Sequence, residues 1–262
     1  MPMREDRSAR TLLATRLRAA GSVFAEDEAE LILQTASGDP ARLRALVARR
    51  VAGEPLEYVL GWVAFCGLRL RVAPGVFVPR QRTAFLVDTA ASLLQPGGVV
   101  VDLCCGVGAV GAALLQRVGA LDLVASDIDP DAVEVAGENL GDHASVVLGD
   151  LFAPLPGRIR GRVDVLAVNA PYVPTEAIAL MPPEAREHER RVALDGGPDG
   201  LDLHRRIAAD AGVWLRSGGS VVIEVGRTQA SESRAVFAAA GLEARIARDD
   251  DIDATLVVAT RP

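Results

Sequence analysis

The 262-residue sequence predicts an α/β protein: a seven-stranded, mostly parallel sheet covered by helices, closed by a C-terminal antiparallel hairpin and preceded by a small helical domain. Three observations predict it. From about residue 82 short apolar runs alternate with helical stretches, the pattern of strands joined by helical crossovers. The last two apolar runs, Glu243–Ala247 and Thr255–Ala259, have no helix between them and must pair antiparallel. The first fifty or so residues show helical periodicity alone. Half the residues are apolar and 24% are charged, a composition that can bury a full core.

Taken in order, Ser8–Ala20 repeats apolar residues at Leu12, Leu13 and Leu17. Glu26–Ala36 does so at Leu31 and Ile32, and Pro40–Val51 at Leu43, Leu46 and Val47. Gly21 and the Ser37-Gly38-Asp39-Pro40 cluster are stops, with Pro40 suited to a first helical turn. This bundle, residues 1–55, is too small to be stable alone and should dock on the remainder of the chain. Within residues 56–81 the period changes. Tyr58-Val59-Leu60, Val63-Ala64-Phe65 and Leu68–Val72 read as strands broken by Gly61, Gly67 and the Pro74-Gly75 turn, a hairpin linking two domains. In residues 82–262 the predicted strands are Val99–Leu103, Leu123–Ser126, Val146–Leu148, Val163–Val168 and Ser220–Val225. The predicted helices are Ala109–Val118, Pro130–Leu140, Leu203–Leu215 and Thr228–Ala240. Five parallel strands and the final hairpin make seven strands with one reversed.

Composition excludes several chemistries. All 28 basic residues are arginine, so no lysine is present for a Schiff base, a pyridoxal phosphate anchor or a P-loop. The net charge of −7 argues against a general nucleic-acid coat. Residues 1–52 carry nine arginines and seven acids, a small excess best read as a solvated helical face. Cys66, Cys104 and Cys105 are odd in number, two of them adjacent, and form no disulfide framework. His143, His188 and His204 have no ligand spacing to them, so no metal site is expected. The start, MPMREDRSAR, is charged and unlike a secretory signal, and the apolar stretch Gly97–Leu115 carries Asp102 and five glycines. A monomeric cytoplasmic protein without membrane or stable nucleic-acid partners is the expectation.

The segment Val99–Gly111 runs from a strand into a helix. Gly106, Gly108 and Gly111 fit G-x-G-x-x-G, and Asp127 ends the next strand. Alone, that is the dinucleotide fingerprint, and an NAD-dependent oxidoreductase must be weighed. Framed one step earlier, Asp102-Leu103-Cys104-Cys105-Gly106-Val107-Gly108 resembles the first motif of S-adenosylmethionine (SAM) methyltransferases, acid-x-Gly-x-Gly-x-Gly, with Cys104 replacing the first glycine. Both need backbone to approach a ligand unobstructed and an acid to hold ribose hydroxyls, the role of Asp127 in either reading. Asp102 separates them: a carboxylate repels pyrophosphate but suits the cationic ammonium and sulfonium of SAM. No second catalytic domain for a hydride acceptor is evident, and SAM is favoured. Cys104 carries a Cβ, so positive φ there costs about 1 kcal/mol. Packing is the plainest role for Cys104 and Cys105.

Asp150 follows the third strand of the sheet, where its carboxylate can accept from an adenine amino group while Leu151 and Phe152 cover the ring. Asn169-Ala170-Pro171-Tyr172 follows the buried strand Val163–Val168 at its C-terminal end, where open α/β sheets bind ligands. The tetrad resembles the Asn-Pro-Pro-Tyr signature of methyltransferases acting on planar nitrogens. Such a nitrogen is a poor nucleophile because its lone pair is delocalised. The Asn169 side-chain oxygen and the Ala170 carbonyl can accept both of its hydrogens, fixing it and raising its electron density, while Tyr172 packs on the flat group. Ala170 stands where the signature often has Pro; the carbonyl is retained.

Most of the chain then resembles the HemK-type protein-(glutamine-N5) methyltransferases. The likeness rests on Gly53–Gly61, Phe65–Leu68, Pro74–Arg80, Asp127, Asp150, the tetrad, Ala193–Leu201 and Ile223-Glu224-Val225-Gly226. It implies a Rossmann-like SAM-dependent methyltransferase domain behind a hairpin and an N-terminal helical domain that recognises substrate. It also implies SAM held by Asp102, Cys104, Cys105, Gly106, Val107, Gly108, Asp127, Asp150, Leu151 and Asn169, and chemistry at Asn169–Tyr172. Family members methylate the glutamine of the Gly-Gly-Gln tip of peptide-chain release factors, and a sister group a ribosomal-protein glutamine. The implied partner is therefore a protein with an exposed glutamine. Where the family reads Pro-Arg-Pro-Glu-Thr this chain has Pro79-Arg80-Gln81-Arg82-Thr83, and an aspartate-rich turn, Asp249–Asp253, precedes its last strand. These departures mark a divergent paralogue. An adenine-N6 methyltransferase shares the tetrad and is the alternative in its own class, and a SAM- or partner-binding protein without turnover is the non-enzymatic one. Residues 173–200, rich in Pro, Glu and Gly, read as a long loop beside the tetrad, with Glu189, Arg190 and Arg191 available to a partner.

Overall fold

The computed structural model describes residues 2–262, with side chains from residue 9 onward. Three helices come first, α1 (Pro2–Ala19), α2 (Ala25–Ala36) and α3 (Pro40–Val51). The Asp39 carboxylate caps α3 by accepting from the Ala41 and Arg42 amides at 2.8 and 3.2 Å. Leu13, Leu17, Ile32, Leu46 and Val47 form their shared core, which also takes in Val59 and Leu60.

Those last two residues lie on a fourth short helix, α4 (Leu56–Leu60), where the sequence reads as a strand at Tyr58–Leu60. The turn is closed by the Val59 amide donating to the Pro55 carbonyl and the Gly61 amide to Glu57, at 3.1 and 2.7 Å. Gly61 ends it in the left-handed region at φ 81°. A run of three apolar residues is too short for its period to separate strand from helix. The next element is a hairpin, β1 (Trp62–Phe65) paired antiparallel with β2 (Leu68–Arg71).

The rest alternates: α5 (Ala84–Ser92), β3 (Val99–Leu103), α6 (Ala109–Val118), β4 (Asp122–Asp127), α7 (Pro130–Leu140), β5 (Ala144–Leu148) and β6 (Val163–Val168). Then come α8 (Pro183–His188), α9 (Asp202–Trp214), β7 (Leu215–Glu224), α10 (Ala230–Ala239), β8 (Glu243–Asp249) and β9 (Ala254–Thr260). Periodicity does not reveal α5, whose start Ala84-Phe85-Leu86-Val87 has no polar face. Seven strands form one sheet in the order β5-β4-β3-β6-β7-β9-β8. Only β9 runs against its neighbours. Leu86, Leu114 and Val165 pack on one face, and Leu103, Ile207 and Phe237 on the other.

The connection from β3 leads to β4 on one side, and β6 lies on its other side. The order reverses there, which opens a crevice above the C-terminal ends of β3, β4 and β6. Residues 173–200 cover it. Glu189, buried, accepts from the Arg80 guanidinium at 2.8 and 2.9 Å and from the Val78 amide at 3.2 Å. Arg190 pairs with Asp129 and Asp131 beyond the end of β4. These two side chains, offered to a partner by the sequence, instead tie the segment to the linker and to α7. Among the described residues no helix is long and apolar enough to cross a membrane.

Candidate active site

The crevice is a cleft of about 780 Å³. Asp102, Cys104, Cys105, Gly106, Val107, Asp127, Asp150, Leu151 and the whole tetrad Asn169–Tyr172 line it. Gly108 does not; its place is structural. It precedes α6 at φ 75°, and a Cβ there would stand 3.0 Å from Leu140 Cδ1 and 3.2 Å from Ala136 Cβ. The loop needs left-handed backbone at Cys104 as well, where φ is 59° with a side chain present. That carries the cost of about 1 kcal/mol expected of a β-carbon in this region.

Three loop amides are turned inward. The Gly106 amide donates to Asp127 Oδ2 at 2.8 Å, the Gly108 amide to the Cys105 carbonyl at 2.8 Å, and the Gly111 amide to Asp102 Oδ2 at 2.8 Å. A pyrophosphate would need such amides turned toward it. The walls add three carboxylates, Asp102, Asp127 and Asp150. Burial, with Asp127 nearby, pushes Asp102 up to about 7 despite the Gly111 bond. Burial raises Asp127 too, against the bonds from Asp129 and Gly106. A cleft that holds acids in this state attracts a cation and repels a diphosphate. The donor set fits SAM better than a dinucleotide: Asp127 can accept from ribose hydroxyls, and Asp102 can serve as a counter-charge at the base.

Asp150 stands at the rim, its Oδ2 accepting from Arg206 at 2.7 Å, which fixes the carboxylate's orientation. Leu151 lines the cleft at φ 48°. Phe152 does not cover the ring as the sequence suggested. It is buried on the other side of the turn, stacked on Trp214 with ring centroids 5.9 Å apart. Ile128, which sequence reasoning missed, adds an apolar side chain to the lining beside Leu151. Its signal was an apolar residue directly after the strand-ending Asp127; it stays 53% exposed.

The tetrad is clamped from behind. Gln229 Nε2 donates to the Tyr172 carbonyl at 2.9 Å and to that of Asp199 at 2.7 Å. A Cβ on Gly200 would lie 2.2 Å from the Tyr172 carbonyl oxygen, which is why the stretch Gly196–Gly200 is so rich in glycine. At its front, Asn169 Nδ2 donates to Thr83 Oγ1 at 3.4 Å. Thr83 donates to Glu224 Oε2 at 2.7 Å, and Tyr172 to Glu224 Oε1 at 3.1 Å. Arg82 donates to Tyr172 Oη at 2.7 Å and to Glu224 Oε1 at 3.1 Å. Burial, with Glu224 beside it, pushes the Tyr172 phenol up to about 12. Thr83 and Glu224 were not predicted as site residues; the acid ending the apolar run Val221-Val222-Ile223 was the available signal.

Fold and cleft define a SAM-dependent methyltransferase. The family described as methyltransferase small domain matches residues 67–181. A methyltransferase structure from Pyrococcus furiosus superposes with a TM-score of 0.57 at 15% identity, covering 74% of this chain and 89% of that one, a likeness of fold. Among sequences, a release factor glutamine methyltransferase of Geobacter sulfurreducens is 38% identical over 204 residues, 77% of this chain and 71% of the relative. One of Cereibacter sphaeroides is 35% identical over 256 residues, 94% of this chain and 87% of the relative. The chain belongs to the release factor glutamine methyltransferase family.

Proposed function

We propose that this protein transfers a methyl group from SAM to the side-chain amide nitrogen of a glutamine in a protein, with the Gly-Gly-Gln glutamine of a peptide-chain release factor as substrate. The observation that carries this reading is the placement of Asn169 and Ala170 in one cleft with Asp102 and Asp127. When bound, SAM supplies an electrophilic methyl on a sulfonium.

Asn169 Oδ1 and the Ala170 carbonyl accept the two hydrogens of the substrate amide, which holds its nitrogen still and enriches it in electrons. Pro171 keeps Ala170 in extended backbone, so its carbonyl stays directed. Tyr172 offers a flat face, and its high phenol pKa keeps it neutral. The segment 173–200, tied down by Glu189 and Arg190, limits water at the cleft. The helical bundle α1–α3 is the surface for substrate recognition. Three cysteines without disulfides agree with a cytoplasmic setting.

Methyl-labelled SAM incubated with a release factor tests the proposal. Label is expected on the factor and not on one whose Gly-Gly-Gln glutamine is replaced. Asn169→Ala should lower turnover by roughly 10²–10³-fold with little change in S-adenosylhomocysteine affinity. A fully active Asn169→Ala enzyme contradicts the mechanism.

A further inference from the structure

Resting on the role just given to Asn169, we infer that Glu224 and Thr83 are positioning residues that fix which edge of the Asn169 amide meets the substrate. The two edges of an asparagine side chain are nearly the same in shape and opposite in hydrogen-bonding sense. One orientation presents an acceptor to the substrate nitrogen; the other presents a second donor, which cannot take its hydrogens. Something in the protein must choose.

The choice is legible in the direction of each bond. Glu224 ends β7 with its side chain only 3% exposed, and an ionised carboxylate can only accept. It takes the Arg82 Nε hydrogen at 3.1 Å, so a guanidinium stands beside it. It takes the Thr83 hydroxyl hydrogen at 2.7 Å. A hydroxyl has one hydrogen, so Thr83 has only lone pairs left for Asn169. The Asn169 group facing Thr83 is then Nδ2, at 3.4 Å, its one hydrogen bond among the described residues. Turning the amide over would set Oδ1 against the Thr83 lone pairs. The relay runs one way, Asn169 to Thr83 to Glu224, and leaves Oδ1 for the cleft that Asn169 lines. Tyr172 is ordered by the same carboxylate: Arg82 donates to its oxygen at 2.7 Å, so its own hydrogen goes to Glu224. Thr83 lies 86 positions from Asn169 and 141 from Glu224 in the sequence.

A double-mutant cycle tests this. Thr83→Val keeps the shape and removes the hydroxyl; Thr83→Ser keeps the hydroxyl. Methyl transfer to the release factor is measured for both, for Asn169→Ala, and for Asn169→Ala combined with Thr83→Val. Affinity for S-adenosylhomocysteine is measured beside each. Thr83→Val is expected to lower kcat by about tenfold, the effect of about one orienting hydrogen bond, with cofactor affinity within about twofold of wild type. Thr83→Ser should recover most of the rate. In the Asn169→Ala background, Thr83→Val should change kcat by less than about twofold, because the group it orients is gone. If Asn169→Ala is slow but Thr83→Val runs at the wild-type rate, the relay is wrong and the role of Asn169 stands. If the two losses multiply, Thr83 acts apart from Asn169 and the relay is wrong. If Asn169→Ala itself runs at the wild-type rate, the underlying reading fails. Should Thr83→Val not fold, Glu224→Gln takes its place in the same cycle: a glutamine amide can donate to Thr83 and so frees the relay to reverse, and its loss should shrink in the Asn169→Ala background to the part that acts through Tyr172; an undiminished loss there overturns the relay.

Discussion

With Asp102 proposed as the counter-charge to the cofactor ammonium, affinity for SAM should depend on pH. The Asp102 carboxylate is buried at the base of the cleft, holds one amide bond from Gly111, and sits near the Asp127 charge. With its pKa pushed up to about 7, it is about half ionised in neutral solution before the cofactor arrives. The ammonium of the cofactor interacts favourably only with the ionised form, so binding drives the proton off. Below neutrality each unit of pH should weaken binding by about tenfold, and above about pH 8 affinity should level. Asp127, also raised by burial, acts in the same sense and steepens the acid limb. Calorimetry with S-adenosylhomocysteine at pH 7, in two buffers of different ionisation enthalpy, should detect release of about half a proton. Asp102→Asn should bind more weakly at pH 8 and lose most of that release. Affinity that is flat between about pH 5.5 and 8, or that falls as pH rises, would refute the reasoning.

Two further outcomes concern stability. Gly200→Ala forces a β-carbon into left-handed backbone at φ 79°, 2.2 Å from the Tyr172 carbonyl, and should cost about 2–5 kcal/mol. Gly212→Ala, within α9 and with open space around its β-carbon, is the control and should leave the protein unchanged or slightly firmer; equal melting temperatures for both variants would contradict the clamp. His204 is buried with Nδ1 2.8 Å from Ser233 Oγ, and burial, helped by Arg205, lowers its pKa to about 4. Its contribution is therefore complete above about pH 6.5 and is lost as pH falls toward 4, so stability against denaturant should drop over that window and drop less in His204→Asn.

The readable parts of this protein were those set by local pattern. The strands Val99–Leu103 and Val163–Val168 and the helices Ala109–Val118 and Pro130–Leu140 have the bounds their periodicity predicts. Gly106, in the loop after β3, and Asp127, at the end of β4, were legible as a pair because loop and strand end must both face the ligand. The rest depends on what the fold brings together. That loop amides turn onto Asp102 and Asp127 is a matter of backbone direction. Phe152 and Ile128 are both apolar residues next to a site acid, and only packing decides that one enters the core and the other the cleft. Arg82, the departure from the family pattern, gains its sense only beside Glu224 and Tyr172.

The account stands most directly on a crystal structure with S-adenosylhomocysteine and a Gly-Gly-Gln peptide. It predicts the glutamine side-chain nitrogen about 3 Å from both Asn169 Oδ1 and the Ala170 carbonyl oxygen, facing the sulfur. A glutamine seated elsewhere, or an Asn169 that turns Nδ2 to it, would contradict the account.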